Sequence, residues 1–220
     1  MHELSTLAET YVKVIWNAGE WIDEPVTVGA LAARLGFTPS TVSEAIRKLD
    51  RLGLVSHARY GAIELTKEGR LAALAMVRKH RLLETFLVTE LGYTWDEVHD
   101  EAEILEHACS DRFIDRLANK LGDPTRDPHG DPIPRSDGTL PPLDAAPLDH
   151  VDIGTPVRVA QVSDADPELL RYLDQHGIGL DSELVVYSRN TSIGTLTIEH
   201  AGATVTLGLH AARAIRVLAA

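Results

Sequence analysis

The strongest constraint on this chain is a change of pattern past its midpoint. Seven of its eleven prolines fall between residues 122 and 149, mixed with many aspartates. Before that stretch, apolar residues recur at three- and four-residue steps. After it, short runs of valine, isoleucine and threonine take over. A period near 3.6 buries a helix face and a period of 2 buries a strand face, so the two parts build separate cores. The proline stretch reads as an irregular or mobile linker. The expected fold is mainly α, with a small β-rich unit at the end.

The spacing predicts helices over 3–18, 28–35, 39–52, 67–91, 95–108 and 110–121. In the first, Leu4, Leu7, Ala8, Tyr11, Val12 and Ile15 form one stripe. Thr27 and Thr38-Pro39 supply helix starts, and Gly36 and Gly53 supply stops. Thr94-Trp95-Asp96-Glu97 reads as a capping box for the 95–108 helix. Two short strands, 54–58 and 62–65, flank Arg59-Tyr60-Gly61. Beyond the prolines, strands are expected at 156–162, 183–188, 194–199 and 203–207, with a helix near 167–176.

Short helix, glycine turn, capped helix and hairpin is the order of a winged helix-turn-helix. Charge supports that reading. The chain carries a net charge of −12. Yet residues 34–59 hold Arg34, Arg47, Lys48, Arg51 and Arg59 against Glu44 and Asp50, a local +3. Positive charge therefore gathers where a recognition helix meets phosphates. The candidate DNA contacts are Thr38, Ser40, Thr41, Ser43, Glu44, Arg47, Arg51 and Arg59. Hydroxyls at a helix start suit phosphates and base edges, whereas Glu44 would have to accept from a cytosine amino group. A helical hairpin with a solvated charged face is the plain alternative.

A second constellation lies further on. His80 and Glu84 share one helix face, as do His99, Glu103, Glu106 and His107 on the next helix. A short turn between these helices makes them antiparallel neighbours, so the two polar stripes can converge. Burying so many imidazoles and carboxylates together is costly without a cation, and a divalent metal takes neutral imidazole and ionised carboxylate alike. Single pairs of this kind are common on surfaces, and carboxylates beside a histidine also serve acid–base chemistry. No nucleophile motif or Gly-rich phosphate loop accompanies them, so an enzyme is the less favoured reading. His2, His57, His129, His150, His176, His200 and His210 show no such spacing and read as solvated or structural. With one cysteine, Cys109, neither an intrachain disulfide nor a Cys₄ zinc site can form. No long apolar run suggests secretion or membrane insertion, so a cytoplasmic protein is expected.

Winged helix, "MVRKHRLLETFL", "VHDEAEILEHACSD" and "DPHGDPIP", in that order and spacing, resemble the diphtheria-toxin-repressor family of metal-dependent transcriptional repressors. The resemblance implies a winged helix-turn-helix over 1–70, a helical dimerisation and metal-binding domain over 71–140, and an SH3-like domain over 141–220. It implies a homodimer that binds a palindromic double-stranded DNA operator when metal-loaded, with no small-molecule substrate. By position, His80, Glu84 and His99 match an ancillary metal site, and Glu103, Glu106 and His107 a primary one. Thr10 stands at the N-terminal ligand position, with Glu9 adjacent, and Asp164 is the candidate from the SH3-like domain, with Asp166 and Glu168 as rivals. Glutamate at 103 follows the manganese-responsive pattern, and Thr10 follows neither the manganese nor the iron pattern. Two carboxylates and an imidazole without sulfur suit Mn²⁺, with Fe²⁺, Co²⁺ or Zn²⁺ as substitutes. An iron-responsive regulator of the same family is the nearest rival.

Overall fold

The computed structural model describes residues 4–21, 25–57 and 61–220. It divides into two compact units, residues 1–80 with 134–139, and residues 81–133 with 140–220.

In the first unit, α1 (Thr6–Trp21) buries Ala8, Tyr11, Val12 and Ile15 of the predicted stripe, whereas Leu7 at its first turn is exposed and Leu4, just before the helix, is half-buried. The α2 helix (Val28–Leu35) begins where the Thr27 hydroxyl accepts from the Ala30 amide at 3.2 Å. It ends at Gly36, whose φ of +67° is the left-handed C′ conformation that glycine adopts without strain. The α3 helix (Pro39–Arg51) opens on Thr38 as N-cap with proline in its first turn, and it buries Val42, Ile46 and Leu49. These three meet Tyr11, Val12, Ile15 and Leu31 in a single core. An antiparallel pair follows, β1 (Val55–His57) with β2 (Ile63–Leu65). Then α4 (Lys67–Leu91) begins with the Thr66 hydroxyl accepting from Gly69 N at 3.0 Å. The division between units falls inside α4, after His80.

In the second unit, the rest of α4 packs with α5 (Val98–Glu106) and α6 (Asp111–Lys120) around Leu82, Leu83, Leu87, Val98, Ala102, Ile114 and Leu117. The α5 helix starts three residues later than expected. Glu97 does accept from the Thr94 amide at 3.1 Å, which is half of the capping box. Residues 95–97, however, form a turn, and the Trp95 side chain packs against the C-terminal core instead.

The expectation of a mainly α chain holds only roughly, because the C-terminal part is a full sheet. Six strands run in the order β3-β8-β4-β5-β6-β7, every neighbouring pair antiparallel. They are β3 (Ala146–Pro147), β4 (Pro156–Val162), β5 (Glu183–Asn190), β6 (Thr195–His200), β7 (Ala203–Gly208) and β8 (Ile215–Ala219). Two helices join them, α7 (Pro167–Gln175) and the short α8 (Leu209–Arg213). The sequence reading missed β3 and β8, although Ile215 and Val217 alternate inward on β8 as a half-buried strand requires.

The register of β4 against β8 shifts between Val159 and Gln161. This bulge turns Ala160 and Gln161 as well as Val159 away from water. Residues 126–133, expected to be part of a linker, dock there. Their backbone is irregular, with a bridge between Arg126 and Pro132. They are nonetheless held in place, since Val162 N donates to His129 O at 2.8 Å. Gly130 sits so close to β4 that a Cβ would lie 2.1 Å from Ala160 O, at a φ of +89°. Only glycine fits that approach.

Candidate metal centre and nucleic-acid interface

Three elements of the second unit bring polar side chains together. Glu84 comes from α4, His99 from α5, and Asp164 from the turn between β4 and α7. His99 Nδ1 lies 2.9 Å from Asp164 Oδ2 and 3.5 Å from Glu84 Oε1. These three residues offer ligand atoms within 4.8 Å of one another. Burial disfavours the charged ring of His99, but its hydrogen bonds to Asp164 and Glu84 outweigh that and push its pKa up to about 10. Burial likewise works against the Asp164 carboxylate, yet the His99 bond and charge bring its pKa below the ordinary value. The group thus attracts a positive charge, which in the metal-free protein is a proton.

Glu84 is 1% exposed and turns its other oxygen to a second group. His129 Nδ1 lies 3.9 Å from Glu84 Oε2, and Asp127 completes a fully buried set within 4.8 Å. His129, expected to be solvated or structural, is wholly buried. Its Nε2 lies 2.6 Å from the carbonyl of Trp95, and a carbonyl only accepts, so Nε2 carries the proton. Nδ1 is buried opposite the Glu84 carboxylate, 3.9 Å away and with no hydrogen-bond partner. A proton on Nδ1 or a cation between the two gives both atoms a partner. Burial, then the nearby Asp131 and Glu84, pushes the Asp127 pKa well up, against the pull of Arg81. The Arg81 guanidinium lies 3.6 Å from Asp127 and 3.7 Å from Asp131, and donates to Pro132 O at 2.7 Å. Oxygen and imidazole donors aimed at a shared buried space fit a divalent cation. The signal for Asp127 and His129 was present in "DPHGDPIP", but their partner Glu84 lies more than forty residues earlier in the chain.

Glu103 and Glu106 offer oxygens within 4.8 Å of each other, and Glu106 is completely buried. His99 Nε2 is 3.7 Å from Glu103, while His107, the C-cap of α5, is 3.5 Å from Glu106. His80 is buried on α4 one turn before Glu84, with its Nδ1 3.4 Å from Lys13 Nζ. The Thr10 hydroxyl is turned onto its own helix and donates to Thr6 O at 3.0 Å. Asp166 and Glu168, the rivals of Asp164, belong to the start of α7, where Asp166 accepts from the Glu168 and Leu169 amides as N-cap.

At the start of α3 the Thr38 hydroxyl lies 2.8 Å from that of Ser40 and 2.9 Å from that of Thr41. All three residues are exposed, as are Glu44, Arg47 and Arg51, and Ser43 is half-buried. Arg47 Nε donates to Ser43 O at 3.1 Å, which lays its guanidinium along the helix. Arg59 lies outside the described residues.

Residues 3–63 match the iron dependent repressor N-terminal DNA binding domain, and residues 66–135 match the iron dependent repressor metal binding and dimerisation domain. Residues 146–219 match the FeoA domain. The chain is 34% identical to the iron-dependent repressor IdeR of Mycobacterium tuberculosis over 88% of its own length and 82% of that protein's. The chain belongs to the diphtheria-toxin-repressor family of metal-dependent transcriptional repressors. It is 32% identical to the diphtheria toxin repressor of Corynebacterium diphtheriae, with 99% of each chain covered. A solved manganese-dependent transcriptional repressor in complex with manganese shares 54% identity and superposes with a TM-score of 0.92, covering 97% of this chain and 100% of the other. Family membership answers the question of an enzyme: these are regulators of transcription.

Proposed function

We propose that this family member is a manganese-activated repressor of metal-homeostasis genes. The observation that carries the metal assignment is the donor chemistry. Glu84, His99, Asp164, Asp127, His129, Glu103 and Glu106 offer oxygen and nitrogen, and none of these groups contains Cys109. Such hard sites suit Mn²⁺ better than soft, thiolate-seeking ions. Similarity to the manganese-dependent repressor supports the same reading. In this proposal His80, Glu84, His99 and Asp164 form one site and Glu103, Glu106 and His107 another, completed from the Thr10 end of α1. The three segments 1–70, 71–140 and 141–220 bind DNA, bind metal and dimerise, and supply Asp164.

The working form is a cytoplasmic homodimer on a palindromic operator. Ile104 at 70% exposure, and Phe113 and Leu91 on the neighbouring helices, are exposed apolar side chains within the segment proposed to dimerise. Thr38, Ser40, Thr41 and Ser43 meet phosphates and base edges, Arg47, Arg51 and Arg59 meet phosphates, and Glu44 reads a cytosine. An iron-responsive regulator is the second reading, favoured by the likeness to iron-dependent repressors. The test is a gel shift against genomic fragments with Mn²⁺, Fe²⁺ under anaerobic conditions, Zn²⁺ or chelator. Retardation with Mn²⁺ at free concentrations where Fe²⁺ fails supports the proposal. Equal response to both at matched free concentration removes the manganese assignment, and retardation in chelator removes the metal switch.

A further inference from the structure

We propose that the Lys13 ammonium is a built-in competitor for His80, occupying the ring nitrogen that a divalent cation must free. The inference rests on the proposed role of His80 as a metal ligand. Lys13 lies on α1 and is 2% exposed, an unusual setting for a lysine. Its Nζ is 3.4 Å from His80 Nδ1 on α4.

An ammonium has three donors and no acceptor, so Nδ1 must present its lone pair and Nε2 must carry the ring proton. A metal binds neutral imidazole through its unprotonated nitrogen. Suppose the metal takes Nδ1. It then displaces the ammonium directly. Suppose instead that it takes Nε2. The ring proton must then move to Nδ1, where it points at a group that only donates. On either nitrogen, metal uptake by His80 breaks the contact with Lys13.

The consequence reaches the DNA-binding half. Lys13 sits between Val12 and Ile15 on α1, and these two share one core with Val42, Ile46 and Leu49 of α3. When His80 takes a metal the buried ammonium loses one of its contacts, so α1 responds to the occupancy of His80. Lys13 is therefore a positioning residue that raises the metal concentration needed to engage His80.

The test is equilibrium dialysis of Mn²⁺ against the full chain, comparing the parent with Lys13→Met, Lys13→Arg and His80→Ala. Lys13→Met keeps the length and removes the charge. It should tighten the His80-dependent class of Mn²⁺ sites by about tenfold, because a cation no longer opposes the metal. Lys13→Arg restores the charge and should bind as the parent does. A merely structural lysine predicts the opposite sign, so unchanged or weakened binding in Lys13→Met overturns the inference. If His80→Ala loses sites while Lys13→Met gains nothing, the competitor fails and the ligand reading stands. If His80→Ala keeps every site at full affinity, both fail. A second measurement uses the parent alone. Ring ¹⁵N shifts of the metal-free protein should show His80 Nδ1 as a bare acceptor, and a proton on Nδ1 overturns the proposal.

Discussion

The start of α3 and the 126–133 loop both carry clusters of polar side chains, and they meet opposite environments. Thr38, Ser40 and Thr41 cap a helix and stay in water. Asp127, His129 and Asp131 organise a turn and are buried; Asp127 Oδ1 accepts from the His129 amide at 2.8 Å and the Asp131 amide at 2.9 Å. Gln161 of β4 donates to Asp131 from the other side. Polar atoms in water cost nothing and can meet any phosphate that arrives. Polar atoms in an interior cost several kcal/mol each unless matched, so the buried carboxylates need positive partners, and Arg81 at 3.6 Å from Asp127 and 3.7 Å from Asp131 is one of them. Exposure suits the first region to an outside partner, and burial suits the second to an ion.

The sharpest way to break this comparison is Gly130→Ala. A methyl group there meets the Ala160 carbonyl at a positive φ, so it should cost about 3 kcal/mol or more of stability, read by urea unfolding. A loss below about 1 kcal/mol would mean the loop can lift from the sheet, and the buried set would lose its rigidity.

Glu84→Gln comes next. The amide keeps the shape but removes the charge shared by the His99 and His129 groups, so Mn²⁺ affinity should fall about a hundredfold, a change comparable to losing a ligand or its support. Binding that is unaltered, measured by dialysis, would place the metal elsewhere.

A smaller effect concerns pH. The His99 pKa stands at about 10 in the metal-free protein, above its unfolded value near 6.5. The imidazolium therefore contributes its full stability below about pH 6.5, and that contribution disappears as the pH rises through 10. A metal that takes the ring must expel its proton, so Mn²⁺ affinity should rise about tenfold per pH unit between pH 7 and 8.5. A flat profile from titrations in that range would show that His99 binds no metal.

Smallest is Thr38→Ala. It removes the N-cap of α3 and should cost about 1 kcal/mol, read by thermal melts. Because this residue is on the surface, DNA affinity should fall more than cap loss alone explains, while Mn²⁺ stoichiometry stays at the parent value.

Much of the first region was legible in the chain itself. Thr27, Gly36, Thr38 and Pro39 act within four residues of where they stand, so the α2 and α3 boundaries follow from local chemistry. Helical spacing likewise put His80 with Glu84 and His99 with Glu103. The start of α5 departs from its capping pattern because the Trp95 side chain serves the C-terminal core and its carbonyl serves His129. No helical interval links His129 to another ligand, so its sequence position carries no signal of its neighbours. Strand β8 does carry a local alternation, Ile215 and Val217 inward.

By itself, then, the sequence determined the capped helices, the basic recognition segment and the two polar helix faces, since periodicity and capping depend on neighbours three or four residues away. Only the tertiary structure decided which carboxylate meets which imidazole. Glu84 and His129 are brought together by a loop pressed into a β-bulge, and that contact depends on the fit of backbone to backbone at Gly130 and Ala160, which no local pattern encodes.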